Sequence, residues 1–372
     1  MQSPIQVVTL LRPKTRRDLL AAAAVSAMVF TATPFLLSVV SEEYDVSLGT
    51  SSLISSFQLG GFVIASWVVG RLVDPSRRLL VISLLAAVAA NVASALVPWF
   101  GALLVLRFLA GVALAIIAWL GRQEVFGDSD RMGDVAVGGP VVGIVGAPVA
   151  SFLANWSGSD AVFISLAIFA LLPLAIPKPD RELSANAPRK ADRSKPVPVT
   201  RLILLCLGAI TLGGSAVFVF AAALGVDRVG LDPFVVSMAF SANALVGIPA
   251  ARYRGERRLA GLWLVGTAVC AIVITNVTYE PVFWVGVVAW GFAFWSGVPG
   301  IYKLLAERSV HPADRAGDAQ SVMAAGRVVG PLLGAGFIEA GSVQALGFVA
   351  AALMAGAGLT LVYVERTIPP LP

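Results

Sequence analysis

Twelve apolar runs follow one another along this chain, at 19–40, 51–69, 79–97, 101–120, 135–153, 161–176, 202–224, 233–250, 259–276, 282–302, 319–338 and 342–364. Most are close to the length of about 20 residues that an α-helix needs to cross a hydrocarbon core. Backbone amides and carbonyls inside a bilayer must find partners within the chain, so runs of this length are predicted to be helices. They consume most of the 372 residues and leave no room for a sizeable soluble domain. Composition points the same way. Only 13% of residues are charged, against about 25% in an ordinary soluble domain, too few to cover a surface facing water. The first run is too long for a signal-peptide core, lacks a small-residue cleavage site and is followed by a second run, so it is predicted to remain a membrane helix. The fold class expected is an all-α membrane protein with twelve transmembrane helices.

Loop charges set the sidedness, because Lys and Arg accumulate in cytoplasmic loops. Arg12, Lys14, Arg16 and Arg17 precede the first span, Arg71, Arg77 and Arg78 follow the second, Arg122 and Arg131 the fourth, and Arg252, Arg254, Arg257 and Arg258 the eighth. The alternate loops hold Glu42, Glu43 and Asp45, then Asp160, then Asp227 and Asp232, then Glu280, with Arg228 as their only basic residue. Both termini are therefore expected in the cytoplasm, for a multi-pass protein of the inner (plasma) membrane. Topology accounts for the net charge of +5, and no nucleic-acid partner is expected. Residues 178–200 carry six basic residues, three acidic ones and four prolines, a composition that neither spans a membrane nor packs a core. The expected organisation is a tail over 1–18, a bundle over 19–177, a cytoplasmic linker over 178–200, a second bundle over 201–364 and a tail over 365–372. Cys206 and Cys270 fall inside apolar runs and His311 is the only histidine, so neither a disulfide framework nor a metal site nor a cofactor is expected.

The two halves echo each other. After the second span the chain reads Gly70, Arg71, Leu72, Val73, Asp74, Pro75, Ser76, Arg77, Arg78, and after the eighth it passes from Gly247 through a short turn to Arg252, Arg254, Arg257 and Arg258. Val145 to Ser151 in span five and Val329 to Ala335 in span eleven share a pattern of small residues and proline. At these positions the chain resembles the major facilitator superfamily, in a drug-efflux-like form. Gly70, Asp74, Arg77 and Arg78 match the family's loop between helices two and three, while Pro75 and Ser76 depart from it. Arg107 and Gly111 look like the family's arginine and glycine in helix four. Gly146 and Pro148 resemble its helix-five motif, and Gly330, Pro331 and Gly334 its counterpart in helix eleven. The resemblance implies two six-helix bundles related by a pseudo-twofold axis along the membrane normal. A substrate cavity would lie between them and open to either side in turn, with the helix two–three loop as an inward-side latch. It gives Arg107 a gating or coupling role, and the glycines and prolines a role in helix packing or as hinges.

Ionisable groups at membrane depth are costly and mark function by default. Only Arg107 and Arg327 lie well inside predicted spans; Asp18, Glu124 and Glu339 are the acidic residues nearest the boundaries. Helix one offers Thr31 and Thr33 before Pro34, where drug and proton antiporters of the family commonly place a carboxylate. An arginine in a low-dielectric cavity needs carbonyls, hydroxyls, water or an anionic ligand as partner. Arg107 and Arg327 are thus candidates for coupling or substrate contact, and bonds to a neighbouring helix or snorkelling are the alternatives. Span ten is aromatic, and Trp290 and Phe294 share a face at i, i+4. Together with Thr31, Thr33, Gln58, Trp119, Phe218, Asn243 and Trp295 they are candidates for the cavity wall.

No Walker loop, nucleophile elbow or paired catalytic carboxylates occur in the sequence, and no enzymatic activity is expected. The leading expectation is a monomeric secondary transporter that moves a small amphipathic or hydrophobic molecule by alternating access. Export is the expected direction, the proton is the candidate coupling ion, and membrane lipids are the surrounding partners. The alternatives are organic-anion uptake or exchange, which the two arginines motivate, lysolipid flipping, and a non-transporting membrane scaffold subunit.

Overall fold

The computed structural model describes residues 17–125, 129–176, 196–252, 258–310 and 312–370. The tail before Arg17, most of the predicted linker, Arg254, Arg257 and His311 lie outside these residues. The regular elements are all α-helices: α1 Arg17–Glu43, α2 Leu48–Ser51, α3 Leu53–Leu72, α4 Arg77–Leu96, α5 Phe100–Val125, α6 Ser129–Ala175, α7 Pro198–Phe218, α8 Ala221–Asp227, α9 Pro233–Arg252, α10 Ala260–Asn276, α11 Glu280–Glu307, α12 Pro312–Glu339 and α13 Val343–Thr367. Ten helical stretches among the described residues are long and apolar enough to cross a membrane, and α10 is a shorter apolar helix.

Most helices run a few residues past the expected spans, as α12 does from Pro312, and three boundaries differ in kind. The connection expected over 154–160 narrows to two residues, because α6 leaves helical angles only at Ser157 and Gly158. Gly158 has φ +76° and ψ −167°, a region open in practice to glycine alone. Beyond it the Ser159 N–H donates to Glu43 Oε1 at 2.7 Å and the Ser159 hydroxyl donates to the same carboxylate. A carboxylate there suits the positive end of the helix that restarts. The second limb turns back into the bundle, since the Phe163 ring lies 4.5 Å from the Arg107 guanidinium carbon. The second difference is a break between α7 and α8 inside the run expected over 202–224. The third is at the start of the ninth span, where Leu259 lies before the helix with φ +54°. Elsewhere local chemistry sets the ends as usual: Ser76 accepts from the Leu79 N–H at 3.2 Å and starts α4, as an N-cap serine does.

Each kind of helix packing in the first half recurs in the second. The pairs α1 with α6, α3 with α5, and α4 with α6 are matched by α7 with α12, α9 with α11, and α10 with α13. Small residues allow these pairs to approach closely, as expected where lipid supplies no hydrophobic drive between helices. In α12, Gly326, Gly330 and Gly334 lie one turn apart, and a Cβ on them would come within 2.9 Å of backbone atoms of Gly208, Leu212 and Ala216 in α7. The apolar core follows from the pairing. One cluster runs through both halves, and a smaller one around Leu207, Leu264, Leu304 and Leu361 belongs to the second half.

Candidate functional site

For description, the acidic face is the end of the bundle carrying Glu43, Asp45 and Glu280, and the basic face is the end carrying Arg77 and Arg78. Two seams join the halves. Along the first, Ser47 Oγ donates to Glu339 Oε1 at 2.6 Å, Ser52 Oγ lies 3.5 Å from the Pro331 carbonyl, and Ser56 Oγ donates to the Val328 carbonyl at 3.0 Å. Along the second, Ser151 Oγ donates to the Pro233 carbonyl at 2.9 Å and Ser241 Oγ to the Ile144 carbonyl at 2.8 Å. A Cβ on Gly143 would lie 3.0 Å from that of Ala244. These contacts step inward from the acidic face turn by turn. The next turn is open in both seams, because a Cβ on Gly60, four residues past Ser56, or on Gly139, four residues before Gly143, would meet nothing within 4 Å. Both seams therefore end at a similar depth. An aromatic plug spans the closed side, with ring centroids 5.2 Å apart for Phe35 and Phe240, 5.1 Å for Phe240 and Phe218, and 5.3 Å for Phe218 and Trp290. The halves are closed at the acidic face and parted toward the basic face.

Arg327 stands where the first seam ends, next to Val328. Ala325, Val329, Leu332 and Gly336 are exposed and fall on one side of α12 at helical spacing. Arg327 projects from the opposite side, toward the protein interior. It is partly buried, and among the described residues no hydrogen-bond or ion-pair partner holds it.

Arg107 has a different environment. It is 1% exposed and sits inside the first half rather than at the seam. Its Nη2 lies 3.2 Å from the Ala90 carbonyl, 3.0 Å from Asn91 Oδ1 and 2.6 Å from Ser94 Oγ, which share its two hydrogens, and its guanidinium packs on Phe163. Helix α4 supplies these acceptors and Phe163 an aromatic face, while Arg107 Nε is buried without a hydrogen-bond partner.

The other candidates divide similarly. Thr33 donates to its own helix at the Val29 carbonyl, 2.9 Å away, and so offers no hydrogen to a ligand. Trp119 is buried in the core. Thr31 is partly buried against Gly143 and Gly146, beside the second seam. Gln58 is buried on α3, two residues past Ser56. Asn243 ties α9 to α11 by donating to the Val287 carbonyl at 2.6 Å. Trp290 is buried in the plug, whereas Phe294 is partly buried and meets Trp295 edge-on at 5.7 Å. Gly111 presses on the Gln58 carbonyl, Gly146 on Met28, and Gly330 and Gly334 on α7, so these are packing positions. Pro148 leaves α6 helical, and Pro331 lies within continuous α12.

At the basic face Gly70 lies in the last turn of α3 and Asp74 in the exposed turn before α4. Arg78 is exposed, whereas Arg77 Nη1 lies 3.7 Å from Asp18 Oδ2. Asp18 is 1% exposed, so a carboxylate that reads in sequence as a span boundary is in fact buried. Glu339, Ser47 and Asp18 are the residues the sequence did not single out as a site. Ser47 could have been found as the helix cap that its bond from the Thr50 N–H makes it, but its cross-chain partner could not.

Two bundles of membrane helices, packed in matched pairs and parted on one side only, have the architecture of a membrane transporter. The sequence profile of the Major Facilitator Superfamily matches residues 19–327, and the chain belongs to that family. Its structure is similar to that of the human organic anion transporter MFSD10 (TETRAN), with a TM-score of 0.63 and 16% identity over 97% of this chain and 100% of that one. It is also similar to a bacterial homologue of the human lysosomal transporter Spinster, inward-facing and occupied, with a TM-score of 0.66 and 15% identity over 98% of this chain and 95% of that one. No curated protein matches it in sequence.

Proposed function

We propose that the protein is a secondary transporter that exports a small amphipathic molecule through the plasma membrane by alternating access. Twelve crossings in two bundles, over 19–177 and 201–364, would place both termini in the cytoplasm. The observation that carries this reading is the shared end point of the two seams, at Ser56 with Val328 and at Gly143 with Ala244. Halves that separate at one common depth can rock about it and expose the same central site to either side. The positive-inside rule makes the basic face cytoplasmic, so this state would load substrate from the cytoplasm. The turn from Gly70 to Arg78 borders that opening and would serve as its latch. Flux into inside-out proteoliposomes, driven by an imposed proton gradient, tests the reading. Accumulation there and not in right-side-out vesicles is expected. A protein that shows no flux in either, and that co-purifies with a stoichiometric partner, would instead be a scaffold subunit.

A further inference from the structure

We propose that Arg327 forms the head-group site for an amphipathic organic anion, binding its carboxylate, sulfonate or phosphate oxygens at the inner end of the opening. The proposal rests on the transporter reading and names the substrate class of the same cavity. Its first support is depth. At 1.5 Å per residue Arg327 lies about 18 Å from the Glu339 end of α12 and about 15 Å from Gly317, where its apolar stretch begins, farther than the side chain reaches toward either interface. Its second support is direction. The residue faces away from the lipid side of α12, and Gln320, seven residues earlier on the same side, is exposed, so this side of the helix is open toward the basic face. The third is the environment. A guanidinium in a cavity between apolar helices calls for an acceptor; the Tyr302 hydroxyl is near enough to act on it electrostatically, but among the described residues none makes a hydrogen bond to it. The carboxylates nearest along these helices are Glu339, held by Ser47, and Asp318, which pairs with Arg315 at 2.7 Å. A fixed positive charge in a low-dielectric cleft concentrates anions, and the planar fork matches an oxyanion's two oxygens.

The apolar part of the ligand has its counterpart close by. Gly326 packs on α7 between Gly208 and Leu212, whereas Gly214 of the same helix packs on the Trp290 indole. The Trp290 indole thus sits about one helical turn, roughly 5 Å, beyond Arg327 toward the closed side, and the partly buried Phe218 about one turn further along α7. A molecule with its charge on Arg327 and a ring system or acyl chain against these aromatics fits both ends.

Calorimetric titration of the full chain in nanodiscs tests this with two matched pairs. Naphthalene-2-carboxylate is compared with 2-naphthylmethylammonium, which has the same ring system and the opposite charge. Lysophosphatidylglycerol is compared with lysophosphatidylcholine. The expected result is at least tenfold tighter binding of the anionic member of one pair, lost in Arg327→Gln and partly kept in Arg327→Lys. Preference in the naphthalene pair identifies a soluble anion as the source of the head group, and preference in the lysolipid pair alone identifies a lipid. A second variant, Ala324→Glu, keeps the arginine and sets a carboxylate one turn away, and it is expected to weaken anion binding to a similar extent. Equal binding of both members of both pairs, or unchanged anion affinity in Arg327→Gln, would overturn the proposal. Labelling of Gly60→Cys and Gly139→Cys by an impermeant maleimide from each side separates this from failure of the transporter reading. If accessibility still alternates while charge preference is absent, only the anion site is refuted.

Discussion

Replacing Gly111 by alanine is expected to destabilise the protein, while the same replacement at Gly60, on the partner helix, is expected to stabilise it. A Cβ at Gly111 would lie 1.8 Å from the Gln58 carbonyl oxygen and 3.0 Å from the Phe62 nitrogen. Ordinary carbon–oxygen contact begins at about 3.3 Å, so α3 and α5 must separate by about 1.5 Å. No rotamer relieves this, because the obstacle is backbone. The separation also lifts Gly61 from the Phe108 carbonyl, its matching close contact, and a gap of this size forfeits a large share of dispersion along the pair. Overpacking costs about 1–3 kcal/mol, and backbone collision places Gly111→Ala near 3. Removing a helical glycine returns about 1 kcal/mol, leaving a net loss of about 2 kcal/mol. For a chain of this size that lowers the melting temperature by about 2.5 °C. Gly60→Ala meets nothing within 4 Å and keeps only the gain of about 0.4–1 kcal/mol, a rise of about 0.5–1 °C. Thermal unfolding of the three proteins in one detergent, followed by intrinsic fluorescence, measures the difference. If Gly111→Ala melts at or above the parent temperature, or both variants shift alike, close α3–α5 packing is not what holds the first half together.

Glu339→Gln weakens the outermost contact of the first seam, and an exposed charged bond of this kind is worth about 0.5–1 kcal/mol. Labelling of Ser56→Cys from the acidic side should rise about two- to fivefold; an unchanged rate would remove Glu339 from the closure. Arg107→Met leaves Asn91 and Ser94 without their donor and should cost about 2–4 kcal/mol of stability. It should leave the affinity for any transported ligand within about twofold, and a large affinity loss in a well-folded variant would return Arg107 to the site. Gly158→Ala forces a side chain into a glycine-only conformation and onto the Glu43 carboxylate, at a cost of about 1–3 kcal/mol. A melting temperature equal to that of the parent would show that the α6 turn is not held as described.

Much of this architecture is legible in the sequence, because membrane spans depend on a strong local property, the length of an apolar run. Span positions, the alternation of acidic and basic loops, and the internal repeat all follow from residues near one another in the chain. The seam is different. Ser47 meets Glu339 across 292 positions and Ser56 meets Val328 across 272, and no local pattern in either segment announces the other. Which face of the cavity is closed is less legible still. A protein that alternates must have a sequence compatible with both states, so the open glycines at Gly60 and Gly139 look like the packed ones at Gly61 and Gly143. Asp18 was hidden for a related reason: at a span boundary, burial depends on whether a basic partner such as Arg77 reaches it.

The two intramembrane arginines show where function separates from packing. In sequence Arg107 and Arg327 present the same problem, a permanent charge at membrane depth with no carboxylate in the same span. The difference lies in their neighbours. Helix α4 brings Ala90, Asn91 and Ser94 to Arg107, and the returning limb of α6 adds the Phe163 ring. On the α7 side of Arg327 the helices meet through glycine-packed turns. The close approach that lets Gly326 and Gly330 fit against α7 brings glycine and backbone rather than polar side chains to that side of α12, and no hydrogen bond is made to the guanidinium by the described residues. The same small-residue packing that holds the second half together keeps one arginine available at the level where the halves part.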